Sequence, residues 1–474
     1  MKPQILYIFL VSVVLYSCTT IKPAALPEEL QLPETVNGNA SVSGPVFKDF
    51  FSDKNLQMLL DSAISGNYDL KIALNRIQIA GAQRGMINSR RLPQINAVAG
   101  AGVERFGKYT MDGVGNFDTN LSDNIDKNQR IPDPTGDFFL GFTSSWEIDI
   151  WGKLKQQRQS AYASYLASEK GRQWLSTQII SRVAENYYAL LSLDEQKSIL
   201  EKNIDLQKRG LDLIETQMLG GRATSLAVRQ FKAQLLHNQS SVVRIRQGII
   251  ERENQLRLLL GHLPGSINRD TGFLYKPLPD FENKGIPTET LLRRPDIQEA
   301  ELQLLAAKAD VQAARKAFFP ALSLNSAIGL NAFKLPLLIS GSSLAAGAAS
   351  SLAAPLLNRG VLKADMKIAN VSQEAAFYNY QNKILEAFEE TATQLKALEH
   401  LKEAYALKSE EVKTLEEAVT SATDLYLAGY ANYLEVVIAQ AGVLQAELEQ
   451  VYLKEEMYKT IIGIYKSVGG ENYN

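Results

Sequence analysis

The sequence predicts an α+β membrane protein, mostly α-helical, folded as a tandem duplication that gives four β-strands to a membrane barrel. Three observations lead there: a constant offset maps the second half onto the first, two proline-free stretches run for almost 70 residues, and four segments alternate apolar with polar residues. At 474 residues the chain is long enough for several domains or one elongated structure. Its 50 basic and 52 acidic residues leave a net charge of −2, so no global field draws it to nucleic acid.

An offset of 208 pairs Gly221 with Gly429, Ala223 with Ala431, Leu226 with Leu434 and Gly261 with Gly469. The same offset pairs Gly152 with Gly360 and Lys155 with Lys363. Upstream it becomes 227, pairing Asp69 with Asp296, Pro93 with Pro320 and Gly102 with Gly329, so the first half carries 19 more residues between Pro93 and Gly152. Such persistence over some hundred residues marks a duplication. The repeats run over 55–262 and 288–469, with a proline-rich linker at 263–287 and a tail at 470–474.

Each repeat opens with a helix. In the first, Leu59, Ala63, Leu70, Leu74, Ile77 and Ala80 keep three-and-four spacing from Asn55 to Arg91, and Pro93 ends the pattern. Strands follow at about 94–106 and 138–150, with Ile95, Ala97, Ala99, Ala101 and Val103 on one face of the first. In the second strand Phe138, Leu140, Phe142, Trp146 and Ile148 oppose Gly141, Thr143, Ser145 and Glu147. The second repeat places strands at about 321–332 and 342–354 in the same manner, with Leu322, Leu324, Ile328 and Leu330 alternating with Ser323, Asn325 and Asn331. Apolar on one face and Gly, Ser, Thr or Asn on the other is the pattern of strands between lipid and a lumen. Phe106, Tyr109, Phe138, Phe139, Trp146 and Trp151 are candidates for an interfacial girdle, or for plain packing against lipid.

Long helices are expected over 152–219 and 359–427, each about 100 Å at 1.5 Å per residue. In the second, Ile384, Phe388, Ala392, Leu395, Leu398, Leu401 and Tyr405 form a coiled-coil-like seam. Gly221 and Gly429 supply left-handed stops, and return helices are expected at 224–260 and 432–468. Thr224 or Ser225, and Asn432 with Glu435, are the expected N-caps. Between the first two strands, residues 107–137 read as an Asp/Asn/Gly-rich loop suited to the outside of a barrel.

Four strands cannot close a barrel, and open edges are not tolerated in hydrocarbon, so the chain must oligomerise to 8, 12 or 16 strands. The N-terminus, MKPQILYIFLVSVVLYSC, places Lys2 before an apolar run too short to span a bilayer, which reads as a signal peptide over 1–17. Leu15-Tyr16-Ser17-Cys18 resembles a bacterial lipobox, making Cys18 the acylated first residue of a segment 18–54; the alternative is a buried free thiol.

The segment LLRRPDIQEAELQLLAAKADVQAARKAFFPALSLNSAIG, Leu291 to Gly329, resembles the signature of TolC/OprM-like outer membrane efflux lipoproteins. EIDIWGK at Glu147–Lys153 and PLLNRG at Pro355–Gly360 agree, although the latter lacks the aromatic and aspartate often found there. The resemblance implies a homotrimer, hence a 12-stranded outer membrane barrel continued by a 12-helix periplasmic tunnel. It also implies a periplasmic adaptor and an inner membrane transporter of the resistance-nodulation-division (RND) class as partners.

In that family, side chains near the hairpin tips close the tunnel. The candidates here are Asp212, Glu215, Asp424 and Leu427, with Gly220, Gly221, Arg222, Ala428, Gly429 and Tyr430 as adaptor-docking tips. Asp424 sits unfavourably at a helix C-terminus, which suits a cation-binding constriction or, equally, a solvated charge. No catalytic, metal or cofactor site is expected: His237, His262 and His400 lack ligand spacing, and no phosphate-binding Gly-Lys motif or nucleophile elbow occurs. Three readings follow: the exit duct of an efflux pump, the duct of a type I protein secretion system, and a structural coiled-coil lipoprotein. The anchor and the Arg-Arg-Pro-Asp stretch favour the first, and the amphipathic strands oppose the third.

Overall fold

The computed structural model describes residues 25–28, 30–36, 53–278, 285–355 and 359–470. The expectations for the signal peptide and for Cys18 lie outside them. In chain order the elements are β1 (Thr35–Val36), α1 (Lys54–Gly66), α2 (Tyr68–Ser89), β2 (Gln94–Glu104), α3 (Met111–Leu121), β3 (Thr135–Ile148), α4 (Lys153–Leu219) and α5 (Ser225–Leu259). There follow β4 (Ile286–Pro287), α6 (Thr288–Leu292), α7 (Pro295–Lys316), β5 (Ala321–Ala332), α8 (Leu335–Leu338), β6 (Leu344–Ala353), α9 (Arg359–Leu427) and α10 (Tyr433–Ser467). No helix among them is long and apolar enough to cross a membrane.

Two compact units emerge. One gathers residues 78–165 and 302–377 around a four-stranded antiparallel sheet of order β2-β3-β5-β6. The register carries the predicted alternation across every strand. Ala97 faces Phe142, Phe142 faces Ile328 and Ile328 faces Ala346, while Ala99, Leu140, Leu330 and Leu344 make the next row. Because directly paired residues share a face, one side of the sheet is a continuous apolar field on which Leu140, Phe142, Ile328, Leu344 and Leu352 stand exposed.

The other side is small and polar. Ser323 and Ser351 share a 2.8 Å hydroxyl contact, and Asn331 Nδ2 donates to Asp137 Oδ1 at 2.8 Å. Gly141 and Gly329 face each other so closely that a Cβ on Gly141 would lie 2.4 Å from the Ile328 carbonyl oxygen. One of the girdle candidates, Phe139, is corrected here. Phe138 joins the apolar face but Phe139, one residue on, falls on the polar face, since the pleat alternates. Trp146 and Trp151 are held by backbone carbonyls: their Nε1–H groups donate to Arg91 O at 2.8 Å and Pro320 O at 2.7 Å, and Trp151 stacks on Phe319 at 5.1 Å.

The strand-to-helix junction explains EIDIWGK. Gly152 takes φ +76°, and the Asp149 carboxylate accepts from the N–H groups of Leu154 and Lys155, capping α4, while Lys153 pairs with Glu147 at 2.6 Å. At the opposite end of the sheet a second correction applies. The segment expected to be a loop over 107–137 contains the 11-residue helix α3, capped by Thr110 and tied down by Asn120, which exchanges two hydrogen bonds of 2.8–2.9 Å with the backbone of Ile131.

The second unit gathers the described residues within 28–77, 166–301 and 378–470. The single helix expected over 55–91 is broken at Asn67, whose backbone turns extended while its side chain caps α2 through Asp69 N and Leu70 N and donates to Leu259 O at 2.8 Å. The core packs Leu56 and Leu60 of α1, Tyr187 and Leu190 of α4, Leu256 of α5, and Ile461 and Ile464 of α10, all buried. Each such side chain contributes about 1.5–3 kcal/mol on burial. The described part of the linker is more regular than its prolines suggest. Ile286–Pro287 pairs with Thr35–Val36, Phe273 is buried, and Tyr458 stacks on Tyr188 at 4.0 Å while donating its hydroxyl to Pro277 O.

Candidate functional site

Two hairpin turns, α4–α5 and α9–α10, are the same structure made twice. Gly221 takes φ +69° and Gly429 φ +79°, where an L side chain is strained. Arg222 N–H donates to Gln217 O at 2.8 Å and Gly221 N–H to Met218 O at 3.0 Å; in the second turn Tyr430 N–H donates to Leu425 O at 2.9 Å and Gly429 N–H to Tyr426 O at 3.1 Å. These 6→1 and 5→2 bonds are Schellman stops that satisfy the last helical carbonyls. Thr224 then caps α5 through Ala227 N, and Asn432 caps α10 through Leu434 N.

Near the tips the two hairpins are joined. The Tyr426 hydroxyl of α9 donates to Gln217 Oε1 of α4. Tyr433, at the start of α10, packs on Phe231 of α5 at 4.6 Å and edge-on against Tyr426 at 4.9 Å. Gly210 of α4 makes room for this cluster, since a Cβ there would lie 2.6 Å from Tyr433 Oη. Burial, with Tyr426 beside it, pushes the Tyr433 hydroxyl up to about 12, so it remains a neutral donor at any physiological pH. Spacing along one chain could not reveal this clamp, because its members come from four helices.

All four candidate gate residues are exposed on the last turns of the long helices, Asp212 and Glu215 on α4, Asp424 and Leu427 on α9. Among the described residues none is hydrogen-bonded to another through its side chain. The candidate docking residues Gly220, Gly221, Arg222, Ala428, Gly429 and Tyr430 are likewise exposed, at the turns themselves. At the start of α7 the Arg-Arg-Pro-Asp stretch turns inward at its second arginine. Arg294 is 1% exposed, grips Asp296 with Nε at 3.1 Å and Nη2 at 2.9 Å, and sends Nη1 to Glu390 and to Ser467 O, both at 3.1 Å. Its guanidinium lies over Trp174 at 4.9 Å. Burial opposes the charge, yet Asp296 and then Glu390 hold the guanidinium above its ordinary pKa. The stretch is a structural lock.

A sheet with one lipid-like face, one polar face and edge strands unpartnered among the described residues, in a chain that also forms long helical hairpins, has the build of an outer membrane channel protein. The sequence profile of the outer membrane efflux protein family matches residues 59–262 and 286–470, and the chain belongs to that family. It is 28% identical over 482 residues to the cation efflux system protein CusC of Escherichia coli K12, covering 99% of this chain and 100% of that protein. To the pyoverdine export outer membrane protein OpmQ of Pseudomonas aeruginosa it is 30% identical, over 89% of this chain and 86% of that protein. A crystal structure of CusC superposes with a TM-score of 0.80 at 26% identity, covering 95% of this chain and 100% of that one. The protein is an efflux channel component of the bacterial outer membrane.

Proposed function

We propose that three copies close a 12-stranded barrel and a 12-helix periplasmic tunnel, forming the exit duct of a tripartite pump that passively conducts drugs or other small toxic compounds. The observation that carries this reading is the pair of open sheet edges. β2 and β6 have no outer strand partner among the described residues and run in opposite directions, so β6 of one copy can pair antiparallel with β2 of the next.

The helices adjoining those edges support it. α2, which leads into β2, exposes Ile72, Ile79 and Met86 seven residues apart. α9, which follows β6, exposes Val361 and Ile368, then Val371, Tyr378 and Leu385, again seven apart. Both are exposed apolar seams of the kind that packs helix on helix.

In this reading Cys18 carries the lipid anchor. Asp212, Glu215, Asp424 and Leu427 constrict the tunnel, with the Tyr426–Gln217 hydrogen bond and the Tyr433 clamp holding the two hairpins together. The exposed tips receive the adaptor, whose engagement with the RND transporter draws the hairpins apart. No step is chemical, and the duct is not an enzyme; energy comes from the partner. Cargo is also the partner's choice, which agrees with relatives named for exports as unlike as cations and pyoverdine.

The test is to cross-link cells, purify the protein from the outer membrane in detergent, and identify the inner membrane protein that comes with it. An RND transporter with its adaptor is the expected result. An ATP-binding-cassette exporter would move the assignment to type I secretion.

A further inference from the structure

We propose that the outer rim of the barrel is fastened by a clasp between copies, in which Leu335 and Ile339 of one copy seat against the apolar stripe of α3 on the next. The proposal rests on the closed-barrel reading above. α3 presents Val114, Phe117 and Leu121 at i, i+3 and i+7, hence along one side, and Phe117 and Leu121 are 68% and 66% exposed. The helix cannot turn that side inward. Asn120, on another side, is fastened to the Ile131 backbone, and a Cβ on Gly113 would lie 2.1 Å from Gly107 O, so the first turn sits hard on its own loop. Beside the stripe lies a cavity of about 430 Å³ whose lining includes Phe106, Val114, Phe117 and Ile131.

The β5–β6 connection offers what fits there. Leu338 is tucked in and the Ser343 hydroxyl donates to Leu337 O, leaving Leu335 60% and Ile339 85% exposed.

Topology selects the occupant. α3 follows edge strand β2, and Leu335–Ile339 precedes edge strand β6. Both lie at the end of the sheet where Glu104 pairs with Thr135 and Leu344 with Leu330. Pairing β6 with a neighbouring β2 therefore sets these two connections side by side. Within one copy the same kind of neighbours already meet through polar atoms, Lys334 Nζ donating to Asn128 O at 3.3 Å. The apolar sides are left for the adjacent copy. Lipid is the poorer occupant, because Asp118, four residues from Val114 and three from Leu121, borders the stripe with a carboxylate.

The test uses the full chain in its outer membrane, with Phe117→Cys combined with Ile339→Cys, and Leu121→Cys combined with Leu335→Cys. A short bismaleimide is added, and particle size is read separately by native electrophoresis. Covalent dimers and trimers in at least one double variant, absent from the four single variants, are the expected result. Three-copy particles that do not cross-link beyond the single-variant background in either pair would overturn the clasp and leave the barrel standing. Absence of three-copy particles would remove the closed barrel and the clasp together.

Discussion

Replacing Arg294 with methionine keeps the length of the side-chain stem but removes the positive charge that faces Asp296 at 2.9 Å in a site where Asp296 is 6% exposed. The variant strands a buried carboxylate and frees the Ser467 carbonyl from its 3.1 Å hydrogen bond. Removing one partner of a buried ion pair costs about 3–5 kcal/mol, because the remaining charge is left unpaired away from water. Removing both is different: Arg294→Met with Asp296→Ala leaves no fully buried charge there, since Glu390 is part-exposed and keeps Lys466 at 3.7 Å, and should lie within about 2 kcal/mol of the wild type. The assay is urea unfolding of the detergent-solubilised protein, followed by helical circular dichroism, on the wild type, both single variants and the double. A double variant that loses as much as the two singles together would refute the reasoning and show that Arg294 acts through packing on Trp174 rather than through its charge.

Lys454 gives a pH dependence with a definite sign. It is 6% exposed, donates to Leu274 O over the Phe273 ring, and burial pulls its pKa from 10.5 down to about 8, against the pull of Glu195. Below pH 8 folded and unfolded chains are both protonated, and the cost of the buried ammonium is fully present. From pH 8 to 10.5 the folded chain sheds its proton first, so stability should rise by up to about 3 kcal/mol relative to Lys454→Met; parallel pH profiles of the two proteins would contradict this. Gly141→Val should block sheet formation, since its Cβ would meet the Ile328 carbonyl at 2.4 Å; normal amounts of assembled protein in the outer membrane would count against the register described above. Asp424→Ala, removing a carboxylate from the helix end where the backbone dipole is also negative, should raise resting single-channel conductance, and unchanged currents would take Asp424 out of the gate.

Much of the architecture is legible in the sequence for simple geometric reasons. A pleated strand alternates strictly, so Phe138, Leu140 and Phe142 declare their face, and the cross-strand register maps it onto Ile328 and Leu330. A left-handed helix stop demands glycine, so Gly221 and Gly429 show the same turn twice. What stays hidden depends on partners distant in the chain. α3 has poor helix formers and exists because Thr110 caps it and Asn120 finds the Ile131 backbone. Asn67 breaks a helix whose apolar spacing runs straight through it, because its side chain reaches Leu259. Arg293 and Arg294 are adjacent and identical in the sequence, and only the fold exposes the first and buries the second. At the tips, Asp424 and Leu427 could be picked out as end-of-helix residues, whereas the Tyr426–Gln217 link and the Phe231–Tyr433 contact required the helices to be placed first.

The most direct test of the duct is electrical. The full chain, purified from the outer membrane and reconstituted into a planar lipid bilayer, should give discrete current steps, small at rest, from particles containing three copies. An absence of steps at any protein concentration, from material shown to be inserted, would contradict a water-filled channel.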